Sequence, residues 1–307
     1  MEQKKGREDF PWIDRVLGDI PLVYSTTNFL KYSLSEALER IAAGGFRNVE
    51  IWGNLKHLDP RNETETVEET ARNCLRLGLK VVSIHAPFTL SQPPEPEERM
   101  RIWEDLVCRS MDQAEILGAG CLVVHPVTTG LDDSDAGYRE IVSRTESSLV
   151  RLADLADQRG ISLAVENMPG YRSRRYGREI GDLYRFIKAS GQKNLGLCLD
   201  TGHVIFNNGD AVRELELYGD RIFSIHLNDN IWGMHMDLHL VPGAGSVDWY
   251  RLRRALDSGL FTGMIVLELD GRGRPSSVFD EAREFVHRFF FESFGLQPEH
   301  GEISGSV

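Results

Sequence analysis

The sequence predicts an α/β protein folded as a single (β/α)₈ barrel with a parallel eight-stranded core. Strand-like and helix-like segments alternate eight times along the 307 residues, as expected of a parallel sheet with crossover helices. The strand-like segments are short runs rich in Val, Ile and Leu, typical of strands buried on both faces. Histidine or carboxylate side chains follow most of these runs. They therefore share the C-terminal ends of the strands, where such barrels place their active sites.

The predicted strands are short enough to be buried barrel strands. In chain order they are Ile20–Ser25, Asn48–Trp52, Lys80–His85, Cys121–His125, Ser162–Glu166, Leu195–Asp200, Ile222–Leu227 and Met264–Leu269. An open, doubly wound sheet is the alternative arrangement of such segments. No glycine-rich fingerprint follows the first strand, which disfavours that alternative.

Helical segments separate the predicted strands. They are Ser33–Ala43, Glu65–Leu77, Pro96–Leu117, Ser134–Gln158, Glu179–Ala189, Asp210–Tyr218, Trp249–Ser258 and Val278–Phe291. Ser33 and Ser35 precede Glu36 in a sequence typical of a capped helix start, and Asp248 is placed to cap the seventh helix. Glycine follows most of these segments, as expected at helix C-termini.

Length and composition fit a single cytoplasmic enzyme domain. One barrel of about 250 residues accounts for residues 19–293, with a peripheral N-terminal segment at 1–18 and a C-terminal tail at 294–307. No apolar run reaches the ~18 residues of a membrane span, and the N-terminus lacks a secretory pattern. Four cysteines without CxxC spacing favour a reducing cytoplasm. A net charge of −12 argues against broad binding to nucleic acid or anionic membranes.

Nine potential metal ligands lie at or just after the predicted strand ends: His85, His125, Glu166, Asp200, His203, His226, Asp237, His239 and Glu268. Imidazole and carboxylate are ligands of borderline and hard divalent ions. Gathered at one mouth, these groups would repel one another or stay unsatisfied without a cation. The sequence therefore predicts a metalloenzyme. The other four histidines, His57, His235, His287 and His300, are predicted to lie at the surface.

Seven motifs in order resemble the xylose isomerase-like barrel superfamily, and the resemblance covers nearly the whole chain. They are HAP from His85, HP from His125, EN from Glu166, LDTGH from Asp200, HLND from His226, DLHLVPGAGSVDW from Asp237 and LELD from Glu268. This superfamily includes sugar and inositol isomerases and epimerases, sugar-acid isomerases, dehydratases and endonuclease IV. The resemblance implies the barrel fold and metal dependence, but it does not identify the substrate.

The isomerase and epimerase branch implies one divalent ion, manganese or zinc. Its ligands would be Glu166, Asp200, His226 and Glu268. The ion would chelate a ketone and an adjacent hydroxyl oxygen and stabilise an enediolate. Glu166 and Glu268 would also move the proton as catalytic acid and base, and His203 would hydrogen-bond a substrate oxygen. We favour this branch, with a small sugar, polyol-derived ketone or sugar acid as substrate.

The endonuclease IV branch implies up to three zinc ions held by all nine positions, and it is the alternative function. Glu166 would bridge two ions, and His85 with His125 would hold one of them. His203, Asp237 and His239 would complete a further site. The negative net charge of the chain disfavours binding to the phosphates of a DNA duplex. LDTGH and PGAG also replace the DTCH and GEG patterns of that branch. A catalytically silent sugar-binding protein is a third hypothesis.

Residues near the predicted mouth suggest substrate contacts. Glu50 and Trp52 end the second strand, and Trp232 lies in the loop after His226. Each is interpreted as either a substrate contact or a structural residue. Four arginines at positions 172, 174, 175 and 178 follow the EN motif, and Arg174 is the predicted contact for a phosphate or carboxylate. The glycines of PGAG predict a segment whose backbone comes unusually close to neighbouring atoms and so positions Asp237 and His239. The sequence leaves the formation of a homo-oligomer open.

Overall fold

The chain folds as the predicted closed barrel. The structure is a computed structural model. It describes residues 13–17, 19–54, 56–88, 96–127, 135–171, 175–271 and 273–292. The predicted N-terminal segment lies largely outside these residues, and the predicted tail lies entirely outside them.

Eight parallel strands form the barrel wall, in the order of the sequence. They are β2 (Ile20–Ser25), β3 (Asn48–Trp52), β4 (Lys80–His85), β5 (Cys121–Val124), β6 (Ser162–Glu166), β7 (Leu195–Asp200), β8 (Ile222–Leu227) and β9 (Met264–Leu267). Each strand pairs with the next, and β2 pairs with β9 to close the ring, with Leu22 opposite Ile265. Closure leaves no free edge in the barrel.

Helices cover the outside of the barrel. In the described part of the chain they are α1 (Leu34–Ala43), α2 (Thr64–Leu77), α3 (Pro96–Leu117), α4 (Asp135–Asp157), α5 (Ile180–Ser190), α6 (Thr201–Phe206), α7 (Ala211–Tyr218), α8 (Trp249–Asp257) and α9 (Pro275–Val286). Ser33 and Glu36 form a reciprocal capping box at α1. Asp248 accepts a hydrogen bond from the backbone N–H of Arg251 at the start of α8. Within the described residues, no helix is both long and apolar enough to cross a membrane.

The sequence did not predict every element of the described residues. A short strand β1 (Arg15–Val16) pairs antiparallel with β2, and Val16 is buried. The helix α6 begins directly after Asp200, whose side chain accepts a hydrogen bond from the backbone N–H of His203. The last predicted helix starts earlier, at Pro275, and its end, His287–Phe291, is a π-helical turn.

Apolar side chains fill the barrel and the layer between strands and helices. A compact interior cluster contains Val23, Cys121, Val123, Ala164, Cys198, Met264 and Val266. Burial raises the pKa of the Cys121 thiol to about 12, so this cysteine behaves as a small apolar side chain. A much larger cluster joins the strands to the surrounding helices. This packing fixes the positions of the strand ends, and with them the polar residues at the C-terminal mouth.

Candidate metal centre

All nine predicted ligand positions lie together at the C-terminal mouth of the barrel. His85, Glu166, Asp200 and His226 are strand residues, so their positions follow directly from the strand register. His125 and Glu268 each follow a strand end by one residue. His203 comes from α6, and Asp237 and His239 come from the long loop before α8.

Four side chains form the tightest group, which we call the tetrad: Glu166, Asp200, His226 and Glu268. Their ligand-type atoms all lie within 4.8 Å of one another. His226 Nδ1 lies 2.7 Å from Glu268 Oε2 and 3.6 Å from Glu166 Oε1. Three carboxylates and one imidazole around a single point form a donor set that suits a divalent ion such as manganese or zinc.

Two further histidines converge on one carboxylate oxygen of Glu166, Oε2. His85 Nε2 lies 3.0 Å and His125 Nε2 lies 2.9 Å from Glu166 Oε2. The other ring nitrogen of His85 lies 2.9 Å from the carbonyl oxygen of Ala86. Since that carbonyl can only accept, it favours a proton on Nδ1 of His85, so Nε2 either carries a second proton that it donates to Glu166 or binds a cation.

A third cluster contains His203, Asp237 and His239. His203 Nε2 lies 3.3 Å from one oxygen of Asp237, and His239 Nε2 lies 3.2 Å from the other. Burial lowers the pKa of His203, but the negative charges of Asp200 and Asp237 outweigh this effect and raise the pKa to about 10. His203 therefore carries a proton at neutral pH unless a cation replaces it.

Several buried atoms in this region lack a hydrogen-bond partner among the described residues. They include both ring nitrogens of His226, Oε2 of Glu268 and Oδ1 of Asp237. Buried polar atoms are costly when unpaired. A cation among the tetrad would give Nδ1 of His226 and Oε2 of Glu268 a partner, so the residues present fit a divalent metal.

Opposite charges control the protonation of the two tetrad glutamates. Burial raises the pKa of Glu166, but the charges of His125 and His226 hold it well below its usual value. Burial acts on Glu268 in the same way, and His226 lowers its pKa to about 2. Both glutamates are therefore carboxylates at neutral pH, the form that binds a cation and accepts a proton.

Glu50 lies behind His226 rather than in the mouth. It is fully buried, and Oε2 accepts a hydrogen bond of 2.7 Å from the hydroxyl of Ser83. Its other oxygen lies 3.4 Å from His226 Nε2. A carboxylate at this position favours a proton on Nε2, which leaves the lone pair of His226 Nδ1 available to bind a cation in the tetrad. This geometry favours the structural interpretation of Glu50 over substrate contact.

Asn167, the second residue of the EN motif, connects β6 to β7 and α6. Its amide oxygen accepts a hydrogen bond from the Asp200 backbone N–H at 2.8 Å, and its amide nitrogen donates to the Asp200 carbonyl at 3.1 Å. The backbone carbonyl of Asn167 lies 2.8 Å from His203 Nδ1. Asn167 therefore fixes Asp200 and His203 relative to Glu166.

Asp229 anchors the loop that carries Asp237 and His239. Its buried carboxylate accepts hydrogen bonds from the backbone N–H groups of residues 230, 243, 245 and 247 and from the Trp249 indole, at 2.9 to 3.1 Å. Gly245 approaches so closely that an added Cβ would lie 2.4 Å from Asp229 Oδ1. The tight approach predicted for PGAG is therefore confirmed, and Asp229 explains it.

A cavity of about 320 Å³ opens beside the cluster. Glu166, His203, Asp237 and Glu268 form its polar end. Trp52 and Phe88 lie on its wall, and the Phe88 ring stacks on His125 with ring centroids 4.3 Å apart. The other walls are largely apolar, as is common in binding sites for small molecules.

Three further residues singled out in the sequence lie outside the metal centre or outside the described residues. Trp232 is 66% exposed and does not line the cavity. Arg174 lies outside the described residues, whereas its neighbour Arg175 lines the cavity. The predicted surface position of His57 is wrong: the ring is buried, with Nε2 3.3 Å from the carbonyl oxygen of Tyr32. The loop between β3 and α2 buries this side chain, and the local sequence does not predict that burial.

Comparison with known proteins assigns the chain to a family. The model of the xylose isomerase-like TIM barrel family matches residues 38–289. The chain belongs to this family. It is 29% identical over 256 residues to the uncharacterized protein MJ1311 of Methanocaldococcus jannaschii, an alignment that covers 81% of this chain and 84% of the relative.

Two relatives with named activities are more distant. A 3-dehydroshikimate dehydratase from Pseudomonas aeruginosa is 27% identical over 260 residues, which cover 80% of this chain but only 37% of that protein. A probable endonuclease 4 from Thermoplasma acidophilum is 27% identical over 188 residues, covering 56% of this chain and 61% of the relative.

Solved structures share the fold. A D-tagatose 3-epimerase-like protein has a TM-score of 0.71 at 23% identity, with 87% of this chain and 98% of the other covered. The IOLI protein, solved with a bound zinc atom, has a TM-score of 0.73 at 18% identity, with 89% of this chain and 99% of the IOLI chain covered.

We expect Glu50→Ala to weaken metal binding by about 10- to 100-fold, because His226 loses the group that orients its ring. Glu50→Gln keeps an oxygen that can accept from His226 and should retain most of the affinity. Competition titration with a chromophoric chelator measures both, and circular dichroism checks that each variant folds. Unchanged affinity in a folded Glu50→Ala protein would contradict this role.

Proposed function

We propose that this protein is a divalent-metal-dependent isomerase or epimerase of a small sugar, a polyol-derived ketone or a sugar acid. The observation that carries the proposal is the pair of glutamates in the tetrad. Glu166 and Glu268 contribute atoms to one ligand group and also line one small cavity. They can therefore hold a cation and reach a substrate at the same time.

The residues of the chain support proton transfer in the cavity. A divalent ion in the tetrad would polarise a ketone and stabilise the enediolate that forms when the neighbouring carbon loses its proton. Glu166 and Glu268 are ionised, so either can accept that proton. His203 lines the same cavity and can donate a hydrogen bond to a substrate oxygen.

The relatives support the same first chemical step. An epimerase and a dehydratase that act next to a ketone can both begin by removing a proton from the adjacent carbon. The D-tagatose 3-epimerase-like structure and the 3-dehydroshikimate dehydratase are similar to this chain. Zinc in the IOLI structure supports a divalent metal, and we propose manganese or zinc.

We expect Glu166→Gln and Glu268→Gln each to lower turnover by on the order of 10²-fold or more, because each removes a proton acceptor while preserving side-chain volume. The measurement is deuterium incorporation from heavy water into a panel of ketoses and keto acids. Glu115→Gln, which changes an exposed carboxylate, is the control and should keep full activity. Turnover near the normal rate in either tetrad variant would remove that glutamate from the mechanism.

A second candidate function is a zinc-dependent phosphodiesterase of the endonuclease IV type. The specific observation in its favour is the convergence of His85 and His125 on the second oxygen of Glu166. This geometry would let Glu166 bridge two ions. The probable endonuclease 4 from Thermoplasma acidophilum is also similar. The apolar, aromatic cavity wall and the net charge of −12 favour a small substrate over a DNA duplex.

The double variant His85→Ala/His125→Ala distinguishes the two functions. If one ion in the tetrad performs the reaction, the variant should keep about one bound metal and part of its deuterium-exchange activity. If several ions act together, it should lose a metal and all hydrolysis. Metal content by elemental analysis, exchange into ketoses, and cleavage of a DNA duplex with an abasic site measure these outcomes. Cleavage by the unmodified protein without any proton exchange would overturn the isomerase proposal.

A further inference from the structure

Arg175 places a positive charge on the wall of the cavity. It lines the same space as Glu166 and Glu268. Its guanidinium carbon lies 4.9 Å from the centroid of the Tyr171 ring, and this cation–π contact holds the group near the mouth. The Nε atom of Arg175 is buried and has no hydrogen-bond partner among the described residues.

Many other arginines of the described residues are paired with carboxylates. Arg61 lies 2.7 Å from Asp59, and Arg251 lies 2.8 Å from Asp210. No such ion pair is recorded for Arg175 within the part of the chain that the structure describes. A buried guanidinium N–H without an acceptor is unfavourable. The cost is removed if an anionic ligand supplies the acceptor.

The cavity is lined by side chains of both charges and by apolar side chains. The ionisable cluster with Glu166 and Glu268 lines it, and so do Arg175 and Arg99, which lies in α3. Apolar side chains such as Ile102, Leu106 and Met168 make up much of the remaining wall. A ligand that satisfies both kinds of charged group carries oxygen atoms for a metal and an anionic group for a guanidinium.

We propose that Arg175 binds the anionic group of the substrate, so that this protein acts on a sugar acid or sugar phosphate rather than a neutral sugar. The planar guanidinium can donate two parallel hydrogen bonds to a carboxylate or phosphate. The inference rests on the proposed function for its reaction, but the anion site itself is defined by Arg175, Tyr171 and the cavity.

A different role for Arg175 is to balance the carboxylates of the metal cluster. Asp237 and Arg175 act in opposite directions on the pKa of Tyr171, which burial raises overall, so the two charges lie in one neighbourhood. In that case, loss of Arg175 would change metal affinity and leave ligand preference unchanged. Metal affinity must therefore be measured beside ligand binding.

The test compares three polyols by isothermal titration calorimetry with the full-length, manganese-loaded protein. D-Gluconate carries a carboxylate, D-glucitol 6-phosphate carries a phosphate, and D-glucitol is neutral. We expect at least one anion to bind about tenfold or more tightly than D-glucitol, the effect of one charge-assisted hydrogen bond. The anion that binds more tightly identifies the carboxylate or the phosphate as the natural group.

Arg175→Gln should abolish the preference for the anion and leave manganese affinity unchanged. Arg178→Gln is the matched control, because Arg178 follows in the same loop but is half-exposed and lies 3.5 Å from Glu179. It should keep the preference of the unmodified protein. Equal binding of the three polyols, undetectable binding of both anions, or equal behaviour of the two variants would overturn the proposal. So would a changed manganese affinity of Arg175→Gln with an unchanged anion preference.

Failure of the proposed reaction can be distinguished from failure of this site. The calorimetric comparison requires binding but no turnover. An Arg175-dependent anion preference combined with full deuterium exchange in Glu166→Gln and Glu268→Gln would refute the proposed chemistry and retain the anion site. Loss of exchange in those variants without any anion preference would support the proposed chemistry and refute the anion site.

Discussion

The burial of many ionisable groups at one end of the barrel is the constraint on which the rest of the site depends. Glu166, Asp200, His226 and Glu268 are almost fully inaccessible to solvent, yet their ligand-type atoms lie within 4.8 Å of one another. Isolated buried charges would be strongly destabilising. Mutual attraction between carboxylates and protonated imidazoles offsets part of this penalty, and a divalent ion can replace the protons.

The barrel meets this constraint by fixing the groups on rigid elements. Strand register places Asp200 beside His226, and Asn167 and Asp229 tie the adjoining segments to the same frame through buried hydrogen bonds. Neither residue has a proposed chemical role of its own. Sites built in this way keep their geometry when a substrate or metal binds, because the supporting side chains are already held.

The sequence predicted the barrel and the convergence of its polar residues because the signals were local. Runs of apolar residues identified the strands, and a histidine or carboxylate at the end of a strand must face the mouth of a parallel barrel. The short helix that starts at Thr201 was missed since a fully buried segment shows no amphipathic pattern. The contact of Glu50 with Ser83, the burial of His57 and the position of Arg175 depend on residues distant in sequence. These tertiary contacts carry no local signature.

The central claim is that the tetrad binds a divalent metal. Anomalous diffraction from crystals grown with manganese tests it most directly, since the anomalous peaks locate the ion without reference to activity. We expect a strong peak bonded to Glu166, Asp200, His226 and Glu268, at ligand distances of about 2.0–2.2 Å as for similar divalent ions. Additional peaks beside His85 or Asp237 would indicate the multinuclear alternative. A map with no peak among the four tetrad residues at saturating manganese would contradict the account.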